Sequence, residues 1–78
     1  MWTVYILKCS DESYYTGCTS NLKDRIMRHN KAQVQYTKDK LSLTLITYIT
    51  FCDKYLAYRF EKYLKSGSGA AFRNKRLI

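Results

Sequence analysis

The sequence has no proline and only three glycines among its 78 residues, and it contains no repeat and no low-complexity tract. No stretch approaches the ~18 uninterrupted apolar residues of a membrane-spanning helix. The first residues, Met1 to Val4, lack the basic segment that precedes the apolar core of a secretory signal. We therefore expect one soluble domain over residues 1–78, with a single hydrophobic core and a cytoplasmic location.

Cysteine is sparse, and the chain has only Cys9, Cys18 and Cys52. An odd number of cysteines without a C-x-x-C pair does not fit a disulfide framework. A zinc site would need a fourth ligand and closer spacing. Since all three cysteines lie within apolar runs, we expect them to be reduced and buried in the core.

Acidic residues are also few, because six Asp and Glu stand against fourteen Lys and Arg, giving a net charge of +8. No acid follows Glu61, whereas several cations do. These cations are Lys62, Lys65, Arg73, Lys75 and Arg76. A small domain with this imbalance most often binds a polyanion, usually a nucleic acid; the alternative is a solvated basic face without a partner.

Three segments have the β-branched and aromatic composition of strands, namely residues 2–9, 14–19 and 41–51. The polar turn Ser10–Ser13 would join the first two into a hairpin. The third segment is the longest, and we expect it to be the central strand of the sheet.

Three further segments are typical of helices. Thr19 or Ser20 would cap the first helix, and Asp53 would cap the second. Gly67 would end the second helix in the left-handed conformation. The predicted helices span residues 21–30, 53–65 and 69–75. The order β-β-α-β-α-α predicts an α+β fold in which helices flank a three-stranded antiparallel sheet.

Short motifs on the two hairpin strands and the first two helices form a specific combination. Val4-Tyr5-Ile6 lies on the first strand and Tyr14-Tyr15-Thr16-Gly17 on the second, while Arg25 follows ten residues after Tyr15 and Glu61 lies in the second predicted helix. In this order the chain resembles the GIY-YIG nuclease family over nearly its whole length. It is similar in particular to small standalone members related to the nuclease domain of the bacterial excinuclease.

The resemblance implies that Tyr5 and Tyr15 are active-site tyrosines and that Gly17 is the structural glycine closing the second motif. Directly opposed residues of an antiparallel hairpin have a constant index sum. If Cys9 pairs with Ser13 across a three-residue loop, Tyr5 pairs with Gly17, which leaves room for the tyrosine ring. That register also places both tyrosines on one face of the sheet.

The resemblance further implies that Arg25 contacts phosphate, that His29 belongs to the catalytic group and that Glu61 binds a divalent metal. One carboxylate suits Mg²⁺, or Mn²⁺ in its place, because such an ion keeps much of its water shell. A tyrosine acting as a base needs a pKa below its usual ~10, and we expect Arg25 and the positive net charge to lower it. No small-molecule cofactor is expected.

Each residue also has an ordinary structural interpretation. The tyrosines could be common strand residues, His29 a core or capping residue, and Glu61 an ion-pair partner of Arg25 or Lys65. Outside the catalytic group, five cations are candidate contacts to nucleic acid. They are Arg28, Lys65, Arg73, Lys75 and Arg76.

The sequence therefore predicts a metal-dependent DNA endonuclease that hydrolyses phosphodiester bonds, and the resemblance implies a setting in DNA repair or recombination. The alternative is a nucleic-acid-binding module that has the GIY-YIG fold and little or no catalytic turnover. A third hypothesis, a basic domain that binds a protein partner, predicts no affinity for DNA.

Overall fold

The computed structural model describes residues 1–78 and contains three strands and three helices in the predicted order β-β-α-β-α-α. The strands are β1 (Trp2–Lys8), β2 (Tyr14–Thr19) and β3 (Thr44–Phe51). The helices are α1 (Leu22–Asn30), α2 (Lys54–Leu64) and α3 (Gly67–Arg76). The α+β fold class is confirmed. No helix has the length and apolar character needed to cross a membrane.

The sheet has the strand order β2-β1-β3, and both pairings are antiparallel. The expectation that residues 41–51 form the central strand is wrong, because β1 takes that position and β3 lies at an edge. Burial explains the difference: the five residues from Thr3 to Leu7 are all buried. A strand covered on both faces and paired on both sides belongs in the middle of a sheet.

The hydrophobic core lies on one face of the sheet. Val4 and Ile6 of β1 pack there against Ala57 and Leu64 of α2. Since successive side chains of a strand point to opposite faces, Tyr5 lies on the other face. His29 of α1 and Tyr36 of the segment 31–40 pack against rings on that second face, which contains the candidate site.

The hairpin has the predicted three-residue loop. The backbone N–H of Cys9 donates to the Ser13 carbonyl at 2.8 Å, and the N–H of Glu12 donates to the Cys9 carbonyl at 3.1 Å. Glu12 has a φ of 71° and is therefore the left-handed residue that such loops require. The register that follows pairs Tyr5 with Gly17, as predicted.

The N-termini of two of the three helices differ from the predictions. Asp53 caps α2 as predicted, accepting from the N–H of Tyr55 at 2.9 Å. Asn21, instead of Thr19 or Ser20, caps α1 by accepting from the N–H of Asp24. Gly67 is not left-handed but opens α3, for which Ser66 is the N-cap.

The three cysteines are free, but they do not share one environment. Cys9 is buried and Cys18 is half-buried. Cys52 is exposed, so the expectation that it is a core residue is wrong. It lies between the end of β3 and the start of α2, where an apolar run in the sequence leaves the sheet.

Candidate active site

The candidate site is built around Tyr5 of β1, whose ring is fully buried on the second face of the sheet. Gly17 lies directly opposite it, and a Cβ atom at Gly17 would overlap the Cζ and hydroxyl oxygen of Tyr5. The Tyr5 hydroxyl is 3.0 Å from Nε2 of His29. Position 17 must therefore be glycine, because the Tyr5 phenol passes over this residue of β2 to reach His29 on α1.

His29 is completely buried near the end of α1, and both of its ring nitrogens have partners. Nδ1 lies 2.7 Å from Oγ1 of Thr37, which is also completely buried. Burial and the nearby Arg25 guanidinium lower the pKa of His29 below its usual 6.5. The ring is therefore neutral at pH 7, so that one nitrogen donates a hydrogen bond and the other accepts one.

Thr37 is a member of this group that sequence reasoning did not find. It lies in segment 31–40, which has neither a strand period nor a helix period and resembles a simple connection. Its only sequence signal is its residue type, since a buried histidine needs a polar partner for each ring nitrogen.

Tyr15 lies on the same face as Tyr5, as the register predicted, but it is only half-buried. The centroid of its ring is 6.1 Å from the Tyr5 ring and 5.0 Å from the His29 ring. A third tyrosine, Tyr36, lies on its outer side with a centroid distance of 5.4 Å. Tyr15 is thus the one of the two motif tyrosines that solvent can reach.

The expectation of a lowered tyrosine pKa is wrong for Tyr5. Burial raises the pKa of Tyr5 well above 10, and the neighbouring Tyr15 adds to the effect. The positive charge of Arg25 opposes this rise without cancelling it. Tyr5 is consequently a neutral phenol at physiological pH.

Arg25 on α1 and Glu61 on α2 both act on this group through their charges. Their charges act on the pKa of Tyr5 with opposite signs, and they act in the same opposed way on Cys18. Arg25 is half-buried on α1, whereas α2 carries Glu61 from the core side of the sheet. Both charges therefore act on residues of β1 and β2, namely Tyr5 and Cys18.

Glu61 is partly covered, with 20% of its side chain exposed, and its Oε2 lies 3.1 Å from Nζ of Lys65. No group of three or more His, Cys, Asp or Glu side chains comes together as a metal site. A single carboxylate beside open solvent nevertheless fits a hydrated Mg²⁺ ion, which takes most of its ligands from water and substrate. The residues present fit the metal if the ion displaces Lys65 from the Glu61 carboxylate, or if the ion and Lys65 share that carboxylate.

The candidate nucleic-acid contacts divide into two sets. Arg28 is exposed and paired with Asp24 at 3.2 Å, while Lys75 and Arg76 are exposed at the end of α3. Lys65 and Arg73, in contrast, line an open groove of about 340 Å³ beside Tyr15. Tyr14 and Tyr36 also line this groove, and the sequence analysis gave neither of them a role.

Comparison with known proteins agrees with this arrangement. A family model described as the GIY-YIG catalytic domain matches residues 1–76. A UPF0213 protein of Clostridium perfringens is 44% identical over 63 residues, which cover 80% of this chain and 68% of that protein. A UPF0213 protein of Staphylococcus haemolyticus is 41% identical over 66 residues, or 83% of this chain and 80% of that protein.

A similar solved structure is the solution NMR structure of a UPF0213 protein from Bacillus halodurans. It is 32% identical to this chain and superposes with a TM-score of 0.61. The match covers 96% of this chain and 84% of the other.

Proposed function

The chain belongs to the GIY-YIG family, and from that premise we propose that it is a metal-dependent endonuclease that hydrolyses phosphodiester bonds in DNA. The observation that carries the proposal is the group around Tyr5, in which His29 and Tyr15 meet the charges of Arg25 and Glu61. The proposal extends to a cytoplasmic location and a role in DNA repair or recombination, which the resemblance to the excinuclease nuclease domain suggests.

Arg25 binds the scissile phosphate in this proposal. Its guanidinium is planar and always charged, so it can donate two parallel hydrogen bonds to phosphate oxygens. The half-buried position on α1 limits its motion and its hydration. A positioned cation of this kind stabilises the extra charge that the phosphate gains in the transition state.

The tyrosines and His29 handle the proton of the attacking water. Tyr15 faces the groove and orients the water, whereas Tyr5 is buried behind it and touches no substrate. The centroids of the Tyr15 and Tyr5 rings are 6.1 Å apart, and the Tyr5 hydroxyl lies 3.0 Å from Nε2 of His29. The proposal takes the proton of the water along this line of groups, from Tyr15 through Tyr5 to Nε2 of His29, so that neither tyrosine needs to be ionised at rest.

Thr37 selects the useful tautomer of His29 in this scheme. If Nδ1–H donates to Oγ1 of Thr37, Nε2 is left as the acceptor that faces the Tyr5 hydroxyl. Thr37 is then a positioning residue that acts through His29. The water oxygen forms the new bond to phosphorus as the ester P–O bond breaks, and the leaving oxygen takes its proton from solvent.

Glu61 would hold the divalent metal, with Mg²⁺ or Mn²⁺ as the ion. When bound, the metal supplies positive charge that stabilises the phosphate and the leaving oxygen. Lys65 keeps the Glu61 carboxylate paired and oriented at 3.1 Å until the ion binds.

One observation favours a second candidate function, a nucleic-acid-binding module with little turnover. The Glu61 carboxylate, which a nuclease needs for its metal, is already paired with Lys65 at 3.1 Å. In a binding module that ion pair would be permanent, and Arg25 would bind phosphate without hydrolysis.

Cleavage of branched, nicked and linear DNA distinguishes the two functions. We expect the wild-type chain to cut at least one substrate with Mg²⁺ or Mn²⁺, and Glu61→Ala to cut none. Glu12→Ala is the matched control, because Glu12 is the only other glutamate and lies in the exposed hairpin turn. Salt-sensitive DNA binding without cleavage by the wild-type chain would establish the binding module instead.

A further inference from the structure

The groove beside Tyr15 is larger and more aromatic than phosphate binding requires. Its volume of about 340 Å³ is at the lower end of the ~300–1,000 Å³ typical of sites for small molecules. Six residues line it, namely Tyr14, Tyr15, Thr16, Tyr36, Lys65 and Arg73. Half of them are tyrosines and two are cations, a combination that suits a planar ring joined to a phosphate.

The flat groups of the groove come in two pairs. On one side, the rings of Tyr15 and Tyr36 have centroids 5.4 Å apart and planes inclined by 41°. On the other side, the Arg73 guanidinium lies 5.4 Å from the centroid of the Tyr14 ring. Aromatic rings and arginine planes are the surfaces on which proteins stack unpaired bases.

Lys65 and Tyr15 connect the groove to the catalytic group. Lys65 lines the groove and at the same time pairs with Glu61 at 3.1 Å. Tyr15 likewise belongs to both the groove and the group around Tyr5. A nucleotide in the groove would therefore be next to the phosphate that Arg25 binds.

We propose that this groove binds one unpaired nucleotide, whose base stacks on the tyrosines while Lys65 and Arg73 hold its phosphate. A base inside a duplex is covered on both faces by its neighbours, so it can stack here only if it has left the helix. The substrate class is therefore DNA with an unpaired nucleotide beside the cut, such as a single-stranded arm or a frayed end. This inference rests on the proposed function in taking DNA as the partner.

Abasic scanning tests the inference without relying on cleavage. The probe is a duplex with a single-stranded arm, accompanied by copies in which one unpaired nucleotide at a time has lost its base. Every copy keeps the full phosphate charge, so only stacking changes. We expect one position near the junction at which base loss weakens binding about fivefold to 150-fold, the range for one lost stack. Binding is measured by fluorescence anisotropy without divalent metal.

Three variants assign the effect to the groove. Tyr36→Ala removes an aromatic wall residue that is 54% exposed, and it should reduce the difference between the intact and abasic probes. Tyr36→Phe keeps the ring and should keep the difference. Tyr55→Ala, which removes a tyrosine that is 69% exposed on α2, is the matched control and should also keep it.

The outcomes separate the inference from the proposed function. Equal affinity for the intact probe and for all abasic probes, with cleavage intact, overturns the assignment of the groove alone. The same holds if Tyr36→Ala and Tyr55→Ala reduce the abasic effect equally. Base-dependent binding without cleavage under any metal condition supports the groove and overturns the endonuclease. Absence of DNA binding overturns both.

Discussion

Gly17 lies directly opposite Tyr5 in the β1–β2 ladder, and only the missing side chain of Gly17 leaves space for the Tyr5 phenol. The hydroxyl at the end of that ring is the group that contacts Nε2 of His29. The glycine of the second motif thus has a packing role that is specific to the tyrosine of the first motif. This dependence can be measured.

Gly17→Ala should destabilise the protein by about 1–3 kcal/mol, the usual cost of forcing extra volume into a packed interior. The new methyl group would overlap the Tyr5 ring, and moving the ring would separate its hydroxyl from His29. We therefore expect a lower urea midpoint and a loss of nuclease activity that exceeds the loss of stability.

Gly67→Ala is the matched control, because a Cβ there meets nothing within 4 Å; its stability should be unchanged or slightly higher. A double-mutant cycle with Tyr5→Ala adds a second check. Once the ring is gone, Gly17→Ala should cost little. An equal cost with and without the Tyr5 ring would contradict the packing role.

The parts of the site that rest on local rules could be predicted from the sequence. The three-residue turn and the index sum were enough to pair Tyr5 with Gly17 and to place Tyr15 on the same face. A two-residue period leaves only two choices of face for each strand residue, so one correct pairing determines the rest.

The parts that depend on long-range packing could not be predicted. The length of residues 41–51 suggested a central strand, but the position of a strand depends on which strand is covered on both sides, and that is β1. Thr37 could not be found because its partner is eight residues away across an irregular segment. For Glu61 the sequence left a metal, Arg25 or Lys65 as partners, and the structure contains the ion pair with Lys65.

The protein should lose stability as the pH falls below about 6.5, the pKa of histidine in an unfolded chain. Burial and Arg25 lower the pKa of His29 in the folded state, so the unfolded chain takes up a proton first. The stabilisation is complete above that pH and is lost as the pH falls through the lower, folded-state pKa. His29 is the chain's only histidine, so thermal unfolding between pH 5 and pH 8 isolates it.

His29→Gln is the control for this experiment, since it removes the titration and leaves the carboxylates. Its melting temperature should vary less than that of the wild type over the same range. If the melting temperatures of His29→Gln and the wild type change equally with pH, His29 does not resist protonation in the folded state.

Arg25→Ala should reduce the cleavage rate by at least ~100-fold, the usual effect of removing one preorganised charge donor. Arg28→Ala removes an arginine from the same helix, but one that is exposed and paired with Asp24, and it should have little effect. Single-turnover rates at saturating DNA make the comparison. Equal rates for the wild type and Arg25→Ala would remove Arg25 from the mechanism.

DNA binding should weaken steeply with salt, because each phosphate neutralised by a cation releases counterions. Replacing Lys65, Arg73, Lys75 and Arg76 together by glutamine should make the slope of log K against log salt shallower. Replacing only Lys75 and Arg76 shows how much of the change in slope comes from outside the groove, because Lys65 and Arg73 line the groove and these two residues do not. If the quadruple variant and the wild type have the same slope, α3 and Lys65 do not belong to the DNA footprint.

Glu61→Gln should abolish metal-dependent cleavage while leaving the fold and most of the DNA affinity intact. The change keeps the size and helix propensity of the side chain but removes the anionic ligand that a hard cation needs. Melting temperature, DNA binding and Mg²⁺-dependent nicking measured on one preparation distinguish these effects.

Lys65→Gln removes the other partner of the same ion pair. Because Lys65 competes for the Glu61 carboxylate at 3.1 Å, its removal should lower the Mg²⁺ concentration needed for half-maximal nicking at saturating DNA. If Glu61 is only an ion-pair partner, the two variants should instead behave alike. Each would then lose at most about 1 kcal/mol of stability, as exposed pairs do, and nicking would survive with an unchanged need for Mg²⁺. A fall in the Mg²⁺ requirement for Lys65→Gln, with no nicking by Glu61→Gln, requires the carboxylate to bind the metal.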